Sequence, residues 1–264
     1  MSVHGLAAAE AGGFVPPGTS SFWQPLIGDG AFAITRSMIV VLLSVALIGG
    51  VLMLMTRSLA VVPTKGQFVL ESVYGLVRNS VGRDMIGEKE FRPFIPLLFT
   101  QFVLIYVNNV FGILPPVQFP TFSRVGFPIA LTLVVFGLYH YLGMRRHGVG
   151  GYFKRMVPPG LPFYVVPLIF VLELVTYFIS RPLSLALRLF ANMFAGHMLL
   201  LVFFLGGYYM MFEADSVLLN VASVGAFAMG IGFTLFEVLI QFLQAYVFVL
   251  LTAFYISDSI AEHH

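Results

Sequence analysis

Five long apolar runs, separated by shorter polar segments, set the pattern of this chain. They cover about 34–56, 94–115, 127–145, 163–206 and 216–257. A bilayer core roughly 30 Å thick takes about 20 apolar residues in helical form, so each run predicts a spanning helix. The last two are about twice that length. Each is either a broken pair or one long, strongly tilted helix. Splitting them would put new loops into apolar sequence that lacks turn signals, so five spans are expected. Between the first two runs, Phe68, Val69, Ser72, Val73, Leu76 and Val77 recur at one-, three- and four-residue steps among Lys65, Glu71, Arg78 and Asn79. That spacing predicts an amphipathic helix over about 64–83, lying along the membrane surface. Pro115, Pro116 and Pro120 predict an extended loop after the second run, and Pro158, Pro159, Gly160 and Pro162 a break before the fourth.

Composition agrees. Of 264 residues, 59% are hydrophobic and 10% charged, against about 25% charged in a soluble domain, so the chain cannot cover itself with a solvated surface. The expected fold is all-α and polytopic: an extracytoplasmic segment over 1–33, then one membrane domain over 34–264. Residues 1–33 hold no Lys or Arg and no long apolar run, so they lack the charged start of a signal peptide. No internal repeat is visible, which argues against a transporter built on inverted repeats. Nucleic acid is excluded as a partner, since only 14 Lys and Arg are spread along the whole chain. With no Cys, thiolate chemistry, iron–sulfur clusters and Cys-based zinc are excluded. No metal site or cofactor is expected.

The basic residues set orientation. Arg57, Lys65, Arg78, Arg83, Lys89 and Arg92 lie between spans one and two; Arg145, Arg146, Lys154 and Arg155 lie between three and four. The intervening loops carry only Arg124, and Glu213 with Asp215. By the positive-inside rule the N-terminus is outside and the C-terminus cytoplasmic, in a bacterial-type plasma membrane.

Charge inside the long spans is the informative feature. Glu173, Arg181, Arg188, His197 and Glu237 lie where an ion costs about 2.5–3.5 kcal/mol on insertion scales. At about 100° per residue, Glu173, Arg181, Ser184, Arg188 and Asn192 share one face of span four. Glu237, Gln241 and Gln244 share a face of span five. Helix packing alone explains a lone Asn or Gln; five ionisable groups on two helices point instead to ion conduction. Arg188 stays protonated at any accessible pH. It can stabilise a passing carboxylate and interrupt a proton wire, but cannot relay a proton itself. Haem ligation fails for want of paired histidines within the spans, and no nucleophile motif or phosphate-cradling loop supports a hydrolase.

The run SRPLSLALRLFANMFAGH over 180–197 resembles the signature of subunit a of F-type ATP synthases. So do NVFGILP over 109–115 and LQAYVFVLLTAFY over 243–255. The resemblance implies one outer helix, an interfacial helix, a two-helix hairpin, and a long tilted hairpin against a ring of c subunits. It also implies b subunits of a peripheral stalk, the rest of the F1Fo complex and membrane lipid as partners. Under it, Arg188 matches the arginine opposite the ring carboxylates. Asn192, His197, Glu237 and Gln244 match an outer half-channel, while Glu173, Ser184 and Thr176 match a cytoplasmic one. Arg181, Gln241, Asn109 and Tyr255 are secondary candidates. His197 and Glu237 hold the imidazole and acid in the order of mitochondrial members, swapped relative to some bacterial ones. Glu173 stands one residue further from Arg181–Pro182 than in many members. The function so implied is that of a non-catalytic, proton-translocating stator subunit. The alternative is a self-contained ion-coupled permease.

Overall fold

The computed structural model describes residues 18, 25–28, 34–57, 60–114, 119–157, 160–214 and 216–261. Most of the expectations for 1–33, together with those for Pro115, Pro116, Pro158, Pro159 and Asp215, fall outside the described residues. A short antiparallel pairing of β1 (Pro25–Ile27) with β2 (Ile34–Thr35) precedes the helices. The rest is helical: α1 (Arg36–Thr56), α2 (Lys65–Gly75), α3 (Ile95–Phe111), α4 (Gly126–Arg155), α5 (Val166–Val175), α6 (Arg181–Phe212) and α7 (Val217–Ile260). Five stretches are long and apolar enough to cross a membrane: Arg36–Thr56, Arg92–Phe111, Gly126–Arg155, Val166–Phe212 and Val217–Ile260. The protein is an all-α polytopic membrane protein. The fourth and fifth stretches run without a break for 47 and 44 residues, as expected where no turn signal interrupts the apolar sequence.

Two of these elements depart from regular winding. Helix α4 continues ten residues beyond the expected 145, as a second helical piece across a kink at Gly148, whose φ of 70° suits glycine. Past the kink the Tyr152 ring folds back against Gly143, where an added Cβ would lie 2.6 Å from the ring. Helix α2 passes into π-helical winding over Leu76–Arg83. Its apolar stripe divides: Val77 and Val81 are fully buried, while Phe68 and Val69 are more than 60% exposed. Thr64 caps α2 by accepting from the Gln67 amide at 3.4 Å.

The chain divides into two compact units. One gathers Met1–Val41, Asn108–Arg124 and Ala191–Phe242; the other gathers Leu42–Val107, Val125–Phe190 and Leu243–His264. In the first, the end of α6 and the start of α7, either side of the turn between them, approach closely at small residues. Gly207 lies under the Phe227 ring and Gly230 under Phe204, with Cβ positions 3.3 and 3.1 Å from ring carbons, and Phe203 stacks on Phe233. Small residues let helix backbones approach where lipid supplies no hydrophobic drive. In the second, Leu98, Phe102, Ile105 and Val135 make a dry core. Helix α1 is 6% buried over its apolar window, so its leucines and valines face outward, as a lipid-bathed helix requires.

Candidate functional site

In the first unit, the end of α3 and the facing stretches of α6 and α7 gather Asn109, His197, Glu237 and Gln241. All four are at least 93% buried. Glu237 accepts from the Gln241 amide at 3.3 Å, one helical turn along α7. The Asn109 amide donates to the Gln241 carbonyl at 3.3 Å and so ties α3 to α7. The His197 ring hydrogen-bonds the Gly112 backbone. The Glu237 carboxyl rests against Gly196, the residue before His197: a Cβ there would lie 2.6 Å from Oε1 and 3.0 Å from Cδ. Gly112 meets Met193 in the same way, at 3.0 Å. The Glu237 carboxyl therefore packs against the turn of α6 that carries His197. Glu237 Oε2, Gln241 Oε1 and Asn109 Oδ1 are buried without a protein partner. Such atoms demand hydrogen bonds, so this cluster is chemically suited to hold water or a proton.

The second unit holds the other half of the expected residues. Arg188 and Ser184 are exposed on α6, while Leu185, Ala186 and Leu189 of the same turns are buried. Arg188 stands near the middle of the Val166–Phe212 stretch, beside Leu183 and Leu187, which are 52% and 44% exposed. Among the described residues it makes no hydrogen bond or ion pair. Glu173 is half-buried on α5, and the Thr176 hydroxyl donates to the Leu172 carbonyl at 2.9 Å. Gln244 is buried on α7. Asn192, one turn beyond Arg188 on α6 and already within the first unit, is half-buried.

Arg181, by contrast, is paired. It donates to Asp258 Oδ2 at 2.7 Å and lies 3.6 Å above the Tyr177 ring and 5.2 Å from the Tyr255 ring. Tyr177 Oη donates to the same carboxylate oxygen at 2.8 Å. Arg155, from beyond the α4 kink, donates to the backbone carbonyls of Asp258 and Ser259. A cation in this setting is held by charge, ring face and hydrogen bonds together. These contacts tie Arg181 to the last turns of α7, where Tyr255 and Asp258 lie. Asp258 escaped the sequence reading because its partner lies 77 positions away and it resembles an ordinary solvated charge near a chain end. Gly196 and Gly112 were not singled out either: one glycine in a membrane helix is unremarkable until the opposing side chain is seen. No group of three or more His, Asp or Glu is gathered as a metal site among the described residues.

Comparison with known proteins agrees with this architecture. Residues 37–257 match the family model described as ATP synthase A chain. A protein named ATP synthase subunit a from Nocardioides sp. is 43% identical over 273 residues, covering 98% of both chains. Proteins of the same name from Pseudarthrobacter chlorophenolicus and Streptomyces lividans are each 38% identical. They cover 98% and 96% of this chain and 98% and 90% of their own. With five membrane-spanning stretches, a long paired hairpin and a match from the first span to the last, this chain belongs to the ATP synthase A chain family.

Proposed function

We propose that the protein is the proton-translocating stator subunit of the Fo sector of a rotary ATP synthase, itself non-catalytic. It provides two offset half-channels and the arginine that separates them. The observation that carries this reading is Arg188, a permanent cation on an exposed apolar face in mid-span that makes no hydrogen bond or ion pair among the described residues. Such a group is costly in lipid, and a carboxylate on a neighbouring ring of c subunits would satisfy it. The ring carboxylate gives up its proton as it meets the guanidinium, since a nearby cation favours the charged form. Arg188 holds no removable proton and so prevents direct passage between the two paths.

The buried Asn109–His197–Glu237–Gln241 cluster supports an outer half-channel, to which the family resemblance also assigns Asn192 and Gln244. Glu237 and His197 each exchange a proton, and Asn109 and Gln241 orient what lies between them. Glu173, with Ser184 and Thr176 nearby along the helix, supports release on the cytoplasmic side. This reading places the N-terminus outside a bacterial plasma membrane, and b subunits of the peripheral stalk hold the chain against rotation. Each proton crossing 100 mV supplies about 2.3 kcal/mol, so several are needed for each nucleotide made elsewhere in the complex. The test is Arg188→Ala in the assembled complex. ATP-driven proton pumping should be abolished while the complex is recovered in normal amount. Pumping at near wild-type rate would overturn the reading.

A further inference from the structure

The helix that carries Glu173, Arg181 and Arg188 is not wound uniformly. Helices α5 and α6 are joined by five residues, Thr176–Ser180, in π-helical winding. The Arg181 amide donates to the Thr176 carbonyl, five residues back, where an α-helix would use Tyr177. Pro182 supplies the cause. It has no amide hydrogen, and in α-helical winding its ring would collide with the carbonyl of Phe178, four residues before it. The Tyr177 carbonyl is then left out of both ladders: its α-helical donor is engaged with Thr176, and its π-helical donor would be Pro182. Tyr139 of α4 fills that place, its hydroxyl donating to the Tyr177 carbonyl at 2.7 Å. The Tyr177 side chain is fixed in turn by Asp258 and by the Arg181 guanidinium above its ring. The widened turn is thus held from two neighbouring helices.

Its consequence is rotational. In an unbroken α-helix, eight residues separate Glu173 from Arg181 by about 80°, and fifteen separate it from Arg188 by about 60°. A π turn absorbs one residue, so the effective counts become seven and fourteen. Glu173 then lies about 20° from Arg181 and about 40° from Arg188, on the side of Arg188 where Arg181 and Asn192 also fall. We infer that the Thr176–Ser180 turn is a phase-setting insert that brings Glu173 into line with Arg181 and Arg188, and that Tyr139 is the positioning residue that holds it. The inference rests on the reading of Glu173 as the cytoplasmic release group, and it adds how that group is aimed.

Two single-residue deletions separate phase from mere disruption. Ile179, within the turn, and Leu183, in the regular helix beyond it, are similarly exposed at 55% and 52%. Deleting Ile179 removes the one residue that the π turn absorbs: the Arg181 amide can still meet Thr176, now four residues back, and the phase of Glu173 is kept, with Pro182 then bending the helix at the Tyr177 carbonyl that Tyr139 already holds. Deleting Leu183 swings Glu173 by about 100° relative to Arg188. In the assembled complex, the Ile179 deletion should keep at least half of ATP-driven proton pumping, and the Leu183 deletion should lose at least ten-fold. An Ile179 deletion that falls as far as the Leu183 deletion would overturn the inference. So would one that fails to assemble while Ile179→Ala assembles.

Geometry is read independently of pumping, because the chain has no native cysteine. The thiol of Glu173→Cys should react with a water-soluble methanethiosulfonate at a rate within about two-fold of the parent when Ile179 is deleted, and should change at least ten-fold when Leu183 is deleted. Tyr139→Phe should alter the labelling rate of Glu173→Cys and leave that of Ser184→Cys unchanged. Equal effects at both sites would reduce Tyr139 to general packing and sink its assignment. Normal pumping by Glu173→Gln would refute the release role alone, since labelling would still report the phase.

Discussion

Gly196→Ala adds one methyl group where the structure leaves no room for it, and the obstacle is the Glu237 carboxyl. The new Cβ would lie 2.6 Å from Oε1, whereas ordinary contact begins at 3.4 Å, so the carboxyl has to retreat by about 0.8 Å. Glu237 is a flexible side chain with its strained atom at the far end, so the helices need not move. Alanine also improves helix propensity over glycine by about 1 kcal/mol. Assembly and thermal stability of the complex should therefore be nearly unchanged. Proton transfer should not. The bond from Gln241 is already long at 3.3 Å and has little reach to follow a displaced carboxyl. A displacement of about 1 Å in a positioned reacting group costs up to 10²-fold, so a shift of this size should slow passive proton flux about ten-fold. Measurement in vesicles with the nucleotide-binding sector removed isolates the channel, and ATP-driven pumping in the intact complex should fall in parallel. Adding Glu237→Asp, which shortens the acid by one methylene, should recover flux relative to Gly196→Ala alone, as expected of residues in contact. Flux within two-fold of wild type in Gly196→Ala would refute the claim that this glycine sets the position of the acid.

Glu237→Gln should slow passive and driven flux more than Gln244→Leu does, because only the acid exchanges a proton; equal effects would mean that hydration of the path, not titration, is limiting. The exchange His197→Glu with Glu237→His should recover more flux than either single change, since it restores one acid and one imidazole; a double mutant no better than the worse single would show the pair to be uncoupled. Asp258→Asn removes the charge shared by Arg181 and Tyr177 and should destabilise the complex by about 2 kcal/mol, read as earlier thermal release of the subunit in detergent; unchanged release would mean that the network at the end of α7 contributes nothing to stability.

What could be read in the sequence and what could not divide along a physical line. Apolar run length reports directly on bilayer thickness, so five spans, two of them of double length, are visible before any coordinates. Charges buried in those runs stand out because their cost is high and local, hence Arg188, His197, Glu237 and Glu173. Pairings across long separations leave no such trace: Asp258 with Arg181, or Asn109 with the Gln241 backbone, depends on which helix faces meet. Winding is equally silent. Regular periodicity assigns 100° to every residue, so the π turn before Pro182 and the kink at Gly148 each change the phase of what precedes them without altering composition. The interfacial helix shows the same effect, its single apolar stripe divided between Val77 and Val81 inside and Phe68 and Val69 outside.

The unpaired guanidinium of Arg188 also bears on how the protein comes into being. A chain newly inserted in the bilayer presents to lipid, midway along its fourth span, a charge that hydrocarbon does not accept, with a local cost of about 2.5–3.5 kcal/mol. Among the described residues, no hydrogen bond or ion pair offsets that cost. The free chain is thus strained in a way that ends only on docking with a surface of opposite charge at the same depth. An orphan copy differs physically from an assembled one, by water drawn into the membrane around one side chain.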